Sequence, residues 1–357
     1  MTMTPIVCAL PPTGNTGWGT AAKRITEELS KIALVSDLRV YSFLNSDYPA
    51  HFSAPVLQAV RGVDMLPMYP HLYGDRRVGY SFCEDNILLK RYSLNALRHF
   101  ERIVCGSNWG RKCMIESGIR PDCVSVAIQG VDVDIFKPAE DRLETESVRQ
   151  FRIWSSGKFE YRKAQDVVIR AVAVMMERHG DVRLVAAWHN PWPASEATMA
   201  QSSLIDWHGS QLDVCCQYLD MGRVELINHP EPHGASVAHI NRCDVGLFPN
   251  RCEAGTNLPL MEAMSCGLPV IATTSHGHAD ITRHLERQSI LSSVSTPIHR
   301  GGMHVADWYE PDLDEVISKL EMWYQEWHNG ARLQSDHRME KYTWAACAQS
   351  LLEACTK

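Results

Sequence analysis

The chain has no apolar run of the roughly 18 residues a bilayer crossing needs, so no membrane-spanning helix is expected from its sequence. It has no excess of positive charge: 35 lysines and arginines stand against 42 acidic residues, a formal net charge of −7. That balance does not suit nucleic acid as a main partner. Residues 1–10 lack the basic start and cleavage pattern of a secretory signal. No C-x-x-C occurs among the 12 cysteines, many of which sit in apolar runs. They read as reduced thiols of a cytoplasmic chain rather than a disulfide framework or zinc ligands. Sixteen histidines are present, but their spacing supports no metal site.

What is present is material for a large core: 357 residues, 45% of them hydrophobic. That length suits two domains better than one. In the first half, a strand at 5–10 leads into Pro11-Pro-Thr-Gly14-Asn-Thr-Gly17-Trp-Gly19-Thr20, and a helix follows over 21–34. The glycine order is G-x-x-G-x-G, so the nicotinamide fingerprint G-x-G-x-x-G is missing. Glycines here would let the backbone approach a ligand, although a plain βα turn has the same look. Further strands are expected at 38–43, 65–68, 78–82, 102–105 and 124–128, and helices at 55–60, 87–100 and 107–118. The strand at 78–82 ends on Cys83-Glu84-Asp85-Asn86. Acidic and amide side chains at the carboxyl end of a parallel strand lie on the ligand edge of such a sheet; they also make good helix caps. Residues 139–149 are charged and poor in apolar residues, which marks a linker.

The second half repeats the alternation. A strand from 151 runs into Ser155-Ser-Gly157-Lys158-Phe-Glu-Tyr-Arg162-Lys163, and a helix follows over 164–177. Strands are expected at 182–188 and 224–227, with helices over 195–220, 235–241, 313–327 and 344–354. The most informative stretch runs from 243 to 272: a buried strand to Phe248, a turn with Gly255 and Asn257, a helix ended by Gly267, then a second strand. Glu253 and Glu262 bracket the loop and the first helical turn. A loop feeding a helix after a parallel strand presents free amides, which is where α/β proteins hold anions. An ordinary βαβ unit whose glutamates cap and solvate the helix would show the same pattern. Two strand-loop-helix halves read as doubly wound α/β domains with the ligand site between them.

Together these motifs resemble a retaining glycosyltransferase of the GT-B fold, of the group 1, family 4-like kind. Ser107-Asn-Trp109, Gly118-Ile119 and Gly130-Val-Asp-x3-Phe136-x-Pro138 are similar to the segment that closes the family's N-terminal domain. Gly157-Lys158-x4-Lys163 is similar to its diphosphate-binding loop, with Lys158 where the family has arginine. Residues 253–272 are similar to its Glu-x7-Glu element, and Trp308-x-Glu310-Pro311 with the last helix to its end. Glu253 and Glu262 have eight residues between them rather than seven, so Glu253 is displaced and a bulge at Gly255 would have to restore its direction.

The resemblance implies an N-terminal acceptor-side domain over 1–148, a donor domain over 149–340, and a terminal helix over 341–357 that packs back on the first. It implies a nucleotide-diphosphate sugar as donor substrate, a saccharide, lipid or small-molecule hydroxyl as acceptor, no metal and no other cofactor, with peripheral membrane contact left open. Lys158 and Lys163 would neutralise the leaving diphosphate, helped by the amides of Thr256, Asn257 and Leu258. Glu262 would accept from the ribose hydroxyls and Glu253 from those of the transferred sugar. Gly17 and Gly19 would approach the phosphates or the acceptor from the opposite domain, and Glu84 would stand beside the anomeric carbon. Lys90, Arg91 and Arg162 read as surface charges, with help to the phosphate as the alternative for Arg162, and residues 188–192 as packing in preference to a base or sugar platform. Two other readings share these residues: a decayed nucleotide-sugar or carbohydrate-binding protein, and a sugar-nucleotide epimerase.

Overall fold

The computed structural model describes residues 3–11, 16–40, 48–139, 149–227, 232–335 and 339–357. The first half contains β1 (Pro5–Ala9), α1 (Gly17–Ile32), β2 (Leu34–Asp37), β3 (Ala50–Phe52), β4 (Val56–Ala59), β5 (Leu72–Gly74), β6 (Arg77–Ser81), α2 (Asn86–His99), β7 (Arg102–Cys105), α3 (Asn108–Glu116) and β8 (Val124–Val126). The second half contains β9 (Phe151–Ser156), α4 (Gln165–Arg178), β10 (Val182–Ala187), α5 (Pro193–Glu196), α6 (Gln211–Tyr218), β11 (Val224–Ile227), α7 (Ser236–Asn241), β12 (Val245–Phe248), α8 (Leu258–Ser265), β13 (Val270–Thr273), α9 (Ala279–Thr282), β14 (Ile290–Leu291), β15 (Ser293–Arg300), β16 (Met303–Pro311), α10 (Leu313–His328) and α11 (Trp344–Thr356).

Each half is built on a six-stranded sheet, in the order β2-β1-β4-β6-β7-β8 and β11-β10-β9-β12-β13-β14. The pairings within both sheets are parallel. Every residue of β12 and β13 is buried, as expected of parallel strands covered on both faces. The fold is therefore GT-B: two Rossmann-like sheets with helices around them. The last helix α11 lies on α1, and Leu351 and Cys355 share one buried cluster with Ile25 and Leu29.

Several local expectations are corrected. The helix expected at 55–60 is instead the buried strand β4; four residues are too few to show a period, and β4 pairs with both β1 and β6. The second strand is Leu34–Asp37, because Ala33 ends α1 and the next residue pairs with Pro5. The strand expected at 38–43 is a 3-10 turn over Leu38–Val40, and 41–47 lie outside the described residues. At 65–68 only a bridge from Val60 to Pro67 forms. Residues 195–220 hold the end of α5, a 3-10 turn and α6 instead of one helix. Most of the expected linker, 140–148, lies outside the described residues.

Sequence reasoning did not find the antiparallel hairpin β15–β16. Its turn is Gly301-Gly302, with φ of 57° and 76°, the left-handed pair that a two-residue hairpin turn demands. This hairpin belongs to the second half but reaches the first. Trp308 Nε1 donates to the Glu84 carbonyl at 3.0 Å, the Asp307 amide donates to Asn86 Oδ1 at 2.9 Å, and Arg300 pairs with Asp85. Asp85 occupies the N-cap position of α2 but makes no side-chain cap bond; its carboxylate is engaged by Arg300 instead.

Candidate active site

A cavity of about 400 Å³ opens between the two halves. It is lined from the first half by Thr16, Gly17, Trp18, Phe82, Glu84 and Gln129, and from the second by Gly157, Lys158, Arg162, Lys163, Glu253, Asn257 and Glu262, among others. These residues follow the carboxyl ends of β1, β6, β8, β9 and β12, the edge where parallel sheets bind ligands.

The loop after β9 is clamped to the segment after β12. The amides of Arg251 and Cys252 both donate to the Arg162 carbonyl, at 2.9 and 3.3 Å, and Arg162 Nη1 donates to the Cys252 carbonyl at 2.8 Å. Arg251 is the anchor beneath. It is 2% exposed, pairs with Asp166 at 2.7 Å and Glu310 at 2.6 Å, and lies 3.8 Å from the Tyr161 ring centroid. A buried guanidinium needs this full set of partners, and the set fixes the loop that carries Lys163.

Above that anchor sits an ion network. Lys163 Nζ donates to Glu253 Oε1, Arg162 Nη1 donates to Glu253 Oε2 at 3.0 Å, and Asn250 Nδ2 donates to Glu253 Oε1 at 2.6 Å. Burial alone would raise the Glu253 carboxyl, but the charges of Lys163 and Arg162 outweigh it and hold the group well below the usual carboxylate range. Burial draws the Lys163 ammonium below its ordinary value, opposed by Glu253. Arg162, expected at the surface, is a central member. Its side chain is 12% exposed and it meets Glu160 at 2.6 Å and Glu84 at 3.6 Å as well as Glu253. Lys158 is the outer cation, 3.1 Å from Glu160 and 5.1 Å from the Trp192 ring centroid. Despite its burial, Glu160 is brought down to about 2 by Arg162 and Lys158.

Facing these cations is the start of α8. Among the described residues, the amides of Thr256, Asn257 and Leu258 have no hydrogen-bond partner, so the helix N-terminus is free to meet an anion. The left-handed residue of this loop is Asn257, at φ 67°, not Gly255. The extra residue between the glutamates is thus absorbed at Asn257. Its side-chain Nδ2 donates to His278 Nε2 at 3.2 Å, while His278 Nδ1 lies 3.1 Å from the Thr273 carbonyl. That pattern puts the proton on Nδ1. Burial lowers His278 to about 4, so the ring is neutral. Gly255 serves a different purpose: a Cβ there would meet the Phe82 ring at 2.8 Å. Behind it, a Cβ on Gly277 would fall 1.8 Å from the Gly255 carbonyl oxygen, and the Gly277 amide donates to the Glu253 carbonyl at 2.9 Å.

The first-half residues divide. Glu84 lines the cavity, and its enclosure there raises its carboxyl against the pull of Arg162. Gly17 lines it too, at the first residue of α1. Gly19 does not: it is buried inside the first turn, and its amide donates to the Thr16 hydroxyl that caps the helix. Residues 17–20 of the expected glycine loop are therefore helix, because Thr16 caps α1 ahead of them, and 12–15 lie outside the described residues. Glu262 lines the cavity one turn into α8 and makes no hydrogen bond to another described side chain. Burial, then the nearby Asp132, push its carboxyl up to about 8. Asp132 is itself held by Arg24 at 3.0 Å and His233 at 2.6 Å. Trp188 is fully buried and donates to Ser155, a packing role, whereas Trp192 lies at the cavity.

Comparison with known proteins agrees with this geometry. Residues 150–297 match the family model described as glycosyl transferases group 1. The D-inositol 3-phosphate glycosyltransferase of Corynebacterium aurimucosum is 30% identical over 238 residues, 65% of this chain and 50% of its own length. That of Paenarthrobacter aurescens is 26% identical over 245 residues, 65% of this chain and 51% of its own. The chain thus spans about half the length of these curated relatives. Among solved structures, HepE from Anabaena in complex with UDP and glucose superposes with a TM-score of 0.68 at 12% identity, over 99% of each chain. Sucrose-phosphate synthase from Thermosynechococcus elongatus gives 0.68 at 12%, over 98% of each.

Residues 150–297 thus match the group 1 glycosyl transferases, and the fold of the whole chain is GT-B. Several residues of the site escaped sequence reasoning. Arg251 and His278 act through partners far along the chain, and single positions carry no signal of that; Asn250 acts on Glu253, three residues on, in a turn whose geometry the sequence does not show. Asp166 looked like one more polar residue of the helical run at 164–177. Arg162 did carry a signal: it is the third cation of a short loop, next to Lys163.

Proposed function

We propose that this chain transfers a sugar from a nucleotide-diphosphate sugar to a hydroxyl acceptor with retention of anomeric configuration. The observation that carries this reading is the pairing of Lys158, Arg162 and Lys163 on one side of the cavity with the free amides of Asn257 and Leu258 on the other. A diphosphate fits between two such donors, and the charge that grows on it as the glycosidic bond breaks is met without reorganisation.

In this reading the bond from the anomeric carbon to the diphosphate oxygen breaks. The acceptor oxygen bonds to the anomeric carbon on the same face, and its proton passes to the departing diphosphate. Lys163 and Arg162, held by Glu253, stabilise the leaving group, so no metal ion is required for that task. Glu262, with a neutral carboxyl at pH 7, both donates to and accepts from the ribose hydroxyls. Glu253 is ionised and turned to the same cavity, where its remaining lone pairs can orient a sugar hydroxyl. Glu84 stands across the cleft beside the reacting carbon.

The neighbouring structures bound to UDP put UDP-sugars first in a donor panel. Incubation with such a panel, followed by proton NMR of the products, tests the reading. It expects nucleoside diphosphate release and a product with the donor's anomeric configuration. An inverted product would sink retention. Donor binding without turnover, whatever acceptor is offered, would favour a binding protein.

A further inference from the structure

The wall opposite the cations has a chemistry of its own. Trp18 and Phe82 meet edge to face, with centroids 4.7 Å apart and an interplanar angle of 89°, and both keep a partly exposed surface in the cavity. Tyr80 closes the cluster from behind, 5.7 Å from Trp18 and 4.8 Å from Phe82. Beside them Gln129 lines the cavity at 7% exposure, and its side-chain amide has no hydrogen-bond partner among the described residues. The amide opens on the cavity, so a ligand can bond to it without breaking a bond inside the protein. The third component is the Glu84 carboxylate.

This is a wall for the faces and hydroxyls of a sugar-like ring. Aromatic faces cover its C–H surfaces, and an amide and a carboxylate take its hydroxyls. It is not a wall for an anion. The lysine and arginine side chains lining the cavity are Lys158, Arg162 and Lys163, all from the second half. Each already faces a carboxylate: Glu160, Glu84 or Glu253. A donor diphosphate would take up what remains of their charge. The sequences of 12–15 and 41–47, outside the described residues, contain no lysine or arginine. A phosphate on the acceptor would therefore lie near Glu84 with no cation of its own, a like-charge contact in an enclosed site.

We infer that the acceptor is an uncharged polyhydroxylated ring, a saccharide or polyol without a phosphate group, held on the wall of Trp18, Phe82, Glu84 and Gln129. The inference rests on the transferase reading above and narrows its substrate class. It sets this chain apart from the curated relatives, which are named for an inositol phosphate.

The test uses the full chain and two stages. Nucleoside diphosphate release without acceptor first identifies a donor; failure to bind or turn over any donor would strike the transferase reading itself. With that donor, release is then measured with matched pairs: glucose and glucose 6-phosphate, fructose and fructose 6-phosphate, myo-inositol and its 3-phosphate. At least one neutral member is expected to stimulate release, with its phosphate ester inactive at the same concentration. Stimulation by a phosphate ester at a lower concentration than by its neutral partner overturns the inference, as does stimulation by no neutral member. Gln129→Leu is expected to raise the KM for the neutral acceptor about tenfold through loss of one hydrogen bond, with kcat moving much less. An unchanged acceptor KM removes Gln129 from the wall.

Discussion

Lys163 and Glu253, ninety residues apart, form a buried ion pair that joins the loop after β9 to the loop after β12. Both side chains are less than a tenth exposed, and the pair stands at the boundary between the cation side of the cavity and the helix start that faces it. The relationship makes each member's removal a statement about the other.

Lys163→Ala leaves Glu253 buried with Arg162 and Asn250 as its remaining partners. The expected loss of stability is about 3 kcal/mol, the low end for breaking a buried pair. Adding Glu253→Ala should return part of that loss rather than double it, because the stranded charge is gone. Urea denaturation of the two single variants and the double variant measures the coupling; additive losses would show that the pair is not a unit.

Glu262 gives the stability a pH dependence of known sign. Its carboxyl is raised from an ordinary 4.5 to about 8 in the folded chain. Between those values the folded state binds a proton that the unfolded state does not, so this group's contribution to stability falls as pH rises from about 4.5 to about 8, then levels off. Glu262→Gln keeps the shape without the ionisation. Thermal melts across that range should show a flatter profile for the variant than for wild type. Parallel profiles would contradict the assignment.

Arg251 is expected to be the least tolerant position near the site. Its removal strands Asp166, which is fully buried, and frees the Tyr161 ring from its stacking partner. Arg251→Ala should cost roughly 3–5 kcal/mol. Arg251→Lys should fail as well, because an ammonium cannot make the two-sided bonds to Asp166 and Glu310. Circular dichroism melts of the two variants check this, and near-wild-type stability of Arg251→Lys would show that charge alone suffices.

Gly277→Ala tests the backbone contact behind the loop. The added methyl would lie 1.8 Å from the Gly255 carbonyl oxygen, and backbone must move to admit it. A loss near or above about 3 kcal/mol is expected, the upper range for overpacking, together with weaker donor binding, since 253–258 would shift as one piece. Calorimetric titration with the donor measures the second effect; unchanged affinity would mean that the loop is not set by this contact.

Much of the site was legible because its parts are local. The run from 243 to 272 shows its strand, loop, helix and strand through apolar spacing and a closing glycine, and Lys158 and Lys163 stand together in one short loop. Glu84 could be placed at a strand's carboxyl end from the run before it. The rest depends on contacts that no local pattern encodes. The strand β4 is four buried residues long and has no readable period. Arg251 finds Asp166 and Glu310 only through the fold. Gly255 and Asn257 are both turn formers, and the left-handed one is Asn257, whose side chain bonds to His278, 21 residues on. The hairpin β15–β16 was not read from Gly301-Gly302, and the bond from Trp308 to the Glu84 carbonyl appears only across the two halves.

The most direct measurement is the rate of sugar transfer by Lys163→Ala at a temperature where the variant remains folded, beside its donor affinity by calorimetry. If Lys163 stabilises charge that develops on the leaving diphosphate, kcat should fall at least about a hundredfold, the scale set by removal of one preorganised donor, while donor affinity falls far less. Turnover close to wild type in a folded Lys163→Ala variant would contradict the account.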